Sequence, residues 1–159
     1  VGTRLVTGHE SPALDGVYKL GSFNHEPRLK ISENVDKITL PGSKEILRYL
    51  DEEGYFYGDG IIQSSQTAEE VDYIFHPNFR DKFSKVDTYT SEKLLTQLVE
   101  SGQRSRRLSS ATEASQYRAE RLKQLPMEYK RFDNPHYYKV GISQSLMDTR
   151  DELIRTLKL

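Results

Sequence analysis

Cysteine is missing from the 159 residues, which excludes disulfides, thiolate catalysis and Cys-ligated zinc. No apolar run is long enough to cross a bilayer as a helix, and no secretory signal is visible, so the composition points to the cytoplasm and to no membrane partner. Charge of one sign is also lacking: 23 Lys and Arg against 24 Asp and Glu leave a net charge of −1, without the basic excess a general nucleic-acid binder carries. The four histidines, His9, His25, His76 and His136, follow no metal-ligand spacing, and no Ser-His-Asp or Cys-His arrangement can be drawn from the order of residues. An initiator methionine is absent too, since the chain opens on Val1-Gly2-Thr3. That start leads us to expect a piece of a longer polypeptide. Against few Ile and Val stand 10 Tyr and 6 Phe, a balance that suggests surfaces made to pack on something else.

What is present begins as short extended segments broken by turns. Leu5-Val6-Thr7, Gly16 to Leu20, Arg28 to Ser32 and Lys37 to Leu40 all read as strands. Ile46 to Leu50 and Tyr55 to Tyr57 flank the acidic tip Asp51-Glu52-Glu53-Gly54 as a β-hairpin. Leu94 to Val99 is ambiguous and is assigned to a strand ending at Ser101-Gly102. From Ser110 the pattern turns helical. Ser110 and Glu113 form a capping box, Ala111, Ala114, Leu122 and Leu125 share one face, and Pro126 closes the run. A final helix takes Ser143 or Ser145 as its N-cap and carries the stripe Leu146, Met147, Leu153, Ile154 and Leu157.

Two features carry chemistry. Gly2 followed by Thr3 leaves backbone N–H groups open to a phosphate, with the hydroxyl as one more donor, although the pair also suits an ordinary turn. Lys19, Lys30, Lys37 and Lys44 sit in or beside these short segments, and a polyphosphate needs several such cations converging. Exposed strand lysines also blunt sheet edges, so spacing alone does not decide between the two roles. Arg104 to Arg107 reads as an exposed loop, and Asp51 to Glu53 as a solvated tip.

Taken in order, these residues resemble the nicotinate phosphoribosyltransferases. Val1-Gly2-Thr3-Arg4-Leu5-Val6-Thr7 and Pro12 to Leu20 are similar to the family's glycine turn and G-V-Y-K-L run. Lys30-Ile31-Ser32-Glu33, Lys37 to Lys44 and Arg48 resemble its K-[LI]-[ST]-E-x-x-x-K-x-T-x-P-G-x-K-x-x-x-R stretch, and Leu125 to Phe132 with Asn134-Pro135-His136 its L-P-x-E-Y-K-R-x-x-N-P-H segment. The likeness spans nearly the whole chain, with a variable middle around residues 60–108.

The resemblance implies an enzyme of NAD salvage that joins nicotinate to 5-phosphoribosyl-1-diphosphate, giving nicotinate mononucleotide and diphosphate, with ATP hydrolysis and Mg2+ on the diphosphate. It implies an α/β fold in which this chain supplies the end of an irregular barrel, a β-rich domain and C-terminal helices, working as a homodimer. The expected division is a last barrel strand and phosphate turn over 1–16, a β-rich region over 17–108 and a helical region over 109–159. Gly2 and Thr3 are then expected to take the 5-phosphate, and Lys19, Lys30 and Lys37 the diphosphate or ATP phosphates. As the C-terminal third of such an enzyme, the chain is expected to give no turnover alone. The resemblance leaves room for a nicotinamide- or quinolinate-specific relative and for a non-catalytic scaffold.

Overall fold

The computed structural model describes residues 18–33 and 37–157; Gly2, Thr3, His9 and the strand expected at Leu5 to Thr7 lie outside the described residues. The centre is a six-stranded mixed sheet in the order β6-β5-β10-β4-β3-β7. Its strands are β3 (Lys44–Leu50), β4 (Phe56–Gln63), β5 (Tyr73–His76), β6 (Phe79–Lys85), β7 (Thr90–Lys93) and β10 (Val140–Ser143). Two ribbons stand apart from it, β1 (Ser22–Phe23) with β2 (Glu26–Pro27), and β8 (Val99–Glu100) with β9 (Gln103–Arg104). The helices are α1 (Ala111–Lys123), the single turn α2 (Met127–Lys130) and α3 (Gln144–Leu157).

The hairpin expected around the acidic tip is β3 with β4, antiparallel from Lys44 opposite Gln63 down to a bulge at Tyr49/Leu50. At the tip, Asp51 accepts the Tyr55 N–H at 2.7 Å through its own carboxylate. Alternation along β4 sends Ile61 and Ile62 to opposite faces, and each face has its own core. Leu47, Tyr49, Ile62, Val71, Ile74 and Val86 fill one. Ile142, Leu146 and Met147 fill the other, with Leu40, Ile61 and Phe75 against them.

The second core exists because α3 lies on the sheet. Of the two expected caps, Ser143 accepts the Leu146 N–H at 3.4 Å, whereas Ser145 lies inside the helix, which starts directly from the end of β10. Arg80 on β6 clamps the helix from outside through Asp148 at 2.6 Å and Asp151 at 3.3 Å. β10 sits within residues 109–159, so the region expected to be helical also supplies a strand between β4 and β5.

Several expected strands are not strands. Arg28 to Ser32 and Lys37 to Leu40 meet at a single rung: Thr39 N–H donates to the Lys30 carbonyl at 3.3 Å, while the Thr39 hydroxyl accepts the Lys30 N–H at 2.8 Å. With a side chain taking one half of the pair, no ladder propagates. Of Leu94 to Val99, Leu94 adds one bond to Ile46, and only Val99 enters a ribbon, turned by Ser101 and Gly102 at φ 48° and 76°. α1 buries none of its residues, leaving Tyr117 and Leu122 exposed. Among the described residues it is tied to the sheet at its C-terminal end, where the Gln124 carbonyl accepts the Phe56 N–H at 2.8 Å and Gln124 Nε2 donates to Gly54 at 3.0 Å.

The start of α1 follows the capping box. Ser110 Oγ accepts the Glu113 N–H at 3.3 Å, and Glu113 accepts the Ser110 N–H at 2.7 Å and the Arg107 guanidinium at 2.6 Å. Arg107 is the main cause that brings the Glu113 carboxyl down to about 2. Because the folded value lies below the free value of 4.5, this contribution is whole above that pH and drains away as pH falls toward about 2. Amide exchange over the first turn of α1 is therefore expected to accelerate in that window, beyond its intrinsic pH dependence. An unchanged protection factor down to pH 2 would refute the role given to Glu113.

Tyr49 carries the opposite lesson. Its ring is 1% exposed and lies over Gly60, where a Cβ would fall 2.9 Å from it. Its hydroxyl is buried without a hydrogen-bond partner among the described residues, and burial pushes its pKa up to about 12. An unsatisfied buried donor costs about 1–3 kcal/mol, so Tyr49→Phe is expected to leave stability unchanged or to raise it by about 1 kcal/mol. A urea midpoint that falls clearly in this variant would show that the hydroxyl is satisfied.

Candidate functional site

The lysines expected to meet phosphate all lie on the segment before β3. The Gly21 carbonyl accepts the N–H groups of Arg28 at 2.8 Å and Gly42 at 2.6 Å, and the Lys30–Thr39 rung closes the loop above it. Lys19, Lys30 and Lys37 are all exposed there, outside any strand, with no side-chain hydrogen bond or ion pair among the described residues. Lys44 differs: its ammonium donates to the carbonyls of Leu40, at 3.0 Å, and Gly42, which spends its charge on the turn. These three ammonium groups, unpaired among the described residues, thus share one stitched segment, open to an anion that approaches from solvent.

A second constellation lies between the sheet and α1. Arg48 and Asp59 stand directly opposite each other on β3 and β4. They form a two-pronged pair at 2.9 Å on each arm, with both side chains largely buried. Tyr138 donates its hydroxyl to the same carboxylate at 2.9 Å. Burial and the neighbouring Asp59 push the Tyr138 phenol far above its ordinary value, so it stays a donor at any working pH. The Asp59 contacts hold Arg48 above its own ordinary value as well.

Around this pair the walls are aromatic and cationic. Arg48 and Arg121 both lie over the Phe56 ring, at 4.2 and 4.7 Å from its centre. Arg121 also pairs with Glu92 on β7 and donates to Gln124 at 2.7 Å. On the far side Tyr129 meets Tyr138 and His136 edge to face, at 5.4 and 6.2 Å. His136 is fixed by its own N–H, which donates to the Glu128 carbonyl at 2.9 Å. These groups enclose an open cavity of about 540 Å³. Among the described residues no three His, Asp or Glu side chains converge as metal ligands.

Lys19, Lys30 and Lys37 do not line this cavity, and Gly2 and Thr3 lie outside the described residues. In the sequence Arg48, Leu125, Tyr129 and His136 stand out only as parts of motifs, and Asp59, Tyr138, Arg118 and Arg121 do not stand out at all. The two-residue offset of Tyr138 from His136 was the available signal, since both then project toward the same side of an extended segment.

Residues 43–150 match the model of the nicotinate phosphoribosyltransferase C-terminal domain. The chain is 33% identical to the nicotinate phosphoribosyltransferase of Dictyostelium discoideum over 96% of its own length and 28% of that protein. It is 29% identical to that of Bacillus subtilis over 99% of its length and 34% of the relative. A crystal structure of human nicotinic acid phosphoribosyltransferase superposes with a TM-score of 0.70 at 26% identity, covering 92% of this chain and 28% of that one. The chain therefore spans about a third or less of the length of these relatives.

Proposed function

The chain belongs to the nicotinate phosphoribosyltransferase C-terminal domain family, and from this we propose that the polypeptide carrying it joins nicotinate to 5-phosphoribosyl-1-diphosphate in NAD salvage, yielding nicotinate mononucleotide and diphosphate at the expense of ATP. The observation that carries this reading is the match over 43–150, supported by relatives of that name aligned to nearly the whole chain. In this reading the chain is the C-terminal part of a cytoplasmic homodimer, packs on the end of an irregular barrel, and gives no turnover alone.

Breaking the C1–O bond of the ribosyl donor builds positive charge on the sugar and negative charge on the departing diphosphate. Three exposed ammonium groups at Lys19, Lys30 and Lys37, unpaired among the described residues, fit a polyphosphate, whether the diphosphate or ATP, and Gly2-Thr3 would hold the 5-phosphate through backbone N–H groups and a hydroxyl. Magnesium finds no ligand set among the described residues, so its oxygens would come from the substrate, and no step is assigned to it on this chain.

The test is nicotinate mononucleotide formation by the full polypeptide with phosphoribosyl diphosphate, Mg2+ and ATP, with nicotinamide and quinolinate as rival bases. Turnover with nicotinate, stimulated by ATP, is expected. Turnover with another base only would move the specificity. No turnover with any base would leave a scaffold.

A further inference from the structure

We propose that Ser109 is a phosphorylation site, modified by a serine kinase that reads arginine on the N-terminal side of its target. Arg106 and Arg107 stand three and two residues ahead of Ser109, and residues 101–112 hold three arginines and no carboxylate in a chain of net charge −1. A local excess of guanidinium beside a serine is the kind of charge pattern by which kinases choose substrates. Each planar fork can also take a cleft carboxylate in two parallel hydrogen bonds. Residues 101–110 are all exposed, and from the end of β9 at Arg104 to the start of α1 at Ala111 the chain follows neither helix nor strand. Between residues 106 and 109 the backbone makes no hydrogen bond among the described residues, so this stretch can enter an enzyme's cleft without unfolding an element.

Three serines lie beside these arginines, and the structure separates them. Ser105 donates its hydroxyl to the Gln97 carbonyl at 2.8 Å and its N–H to the Leu98 carbonyl at 2.9 Å. Ser110 is held as the cap of α1, its Oγ accepting the Glu113 N–H at 3.3 Å. Ser109 alone of the three has a hydroxyl without a partner among the described residues. Arg106 is likewise unpaired there, and Arg107 holds Glu113 in an exposed ion pair of the kind that opens easily. In the transfer the Ser109 Oγ attacks the γ-phosphorus of ATP, and the bond to the β–γ bridging oxygen breaks. ADP leaves with that electron pair, and the hydroxyl proton passes to the kinase's carboxylate base. The new phosphate then stands one residue ahead of the α1 cap and beside Arg107, where it competes with Glu113 for that guanidinium.

The test is to incubate the folded full polypeptide with ATP, Mg2+ and the catalytic subunit of cyclic-AMP-dependent protein kinase, a probe that reads arginine at these two offsets, and to map the phosphate by mass spectrometry. Near-stoichiometric incorporation at Ser109 is expected. Ser109→Ala should lower the total at least about tenfold, and Arg106→Ala and Arg107→Ala should each slow the reaction about tenfold, while Ser105→Ala leaves it unchanged. The Ser109 hydroxyl makes no bond among the described residues, so its loss should not disturb folding, and an unchanged melting temperature checks this. Phosphate found on Ser105 or Ser110 in place of Ser109 would overturn the proposal. So would incorporation only after heat unfolding, which would mean that the loop is covered in the whole polypeptide, and so would none in either state. Incorporation is read without any turnover of nicotinate, so this site and the proposed function stand or fall separately.

Discussion

Asp59→Ala is expected to cost about 3–5 kcal/mol, because it leaves Arg48 charged, largely buried and unpaired. The loss has three parts, all at one carboxylate: both arms of the Arg48 pair and the Tyr138 hydroxyl bond. The pair and the stabilising value of the charges must be kept apart, however. Replacing both partners with apolar residues, as in Arg48→Met with Asp59→Ala, is expected to recover part of the loss, since no unpaired buried charge is then left and desolvating two ions offsets much of their attraction. Urea midpoints of the two single variants and the double variant give the coupling directly. Additive effects in that cycle would mean that the pair is not coupled.

Gly141→Ala is expected to be nearly as severe, at about 3 kcal/mol, although it adds one methyl group. A Cβ there would sit 2.8 Å from the Ile74 Cβ and 3.0 Å from the Phe75 carbonyl oxygen. Neither neighbour can swing aside, because both belong to β5, which is hydrogen-bonded to β10 on one side and β6 on the other. The strain therefore falls on the strand that joins the two halves of the sheet. Gly102→Ala is the control: it has open space, and its cost should be limited to the roughly 1–2 kcal/mol of a left-handed residue carrying a side chain. Equal midpoints for the two variants would remove the steric argument.

Local signals were legible, and pairings set from afar were not. The β3–β4 hairpin could be read from its alternating flanks and Gly54, and both helix starts from serines whose side chains do cap. Each of those depends on residues within a few positions of one another. Val140-Gly141-Ile142-Ser143 escaped notice because four residues with a central glycine carry no strand signal of their own; their partners are Asp59 to Ile61 and Ile74 to Phe75. The strands expected before β3 failed for the opposite reason: alternation was present, but no neighbour accepted the ladder.

The same limit hid the cavity. Carrying the Leu50–Phe56 pairing back without the bulge would set Arg48 opposite Gly58, whereas the true register sets it opposite Asp59. One inserted residue thus decides whether the central ion pair exists, and nothing in the hairpin sequence announces it. Arg121 and Arg118 join only once α1 has been tied to Phe56 and Gly54, and Tyr138 comes from the stretch that leads into β10.

The position of β10 in the sheet also orders events during synthesis. The β3–β4 and β5–β6 hairpins each close locally, but no direct ladder joins them; β10 lies between, parallel to one and antiparallel to the other. Until residues 140–143 have left the ribosome, the nascent chain carries two hairpins whose facing edges, β4 and β5, have no mate. Those edges are open templates for pairing with a neighbouring chain, and the closing step is a slow, non-local insertion. Stalling or proteolysis ahead of Val140 would therefore release a species prone to aggregate, well before any shortage of core contacts could explain it.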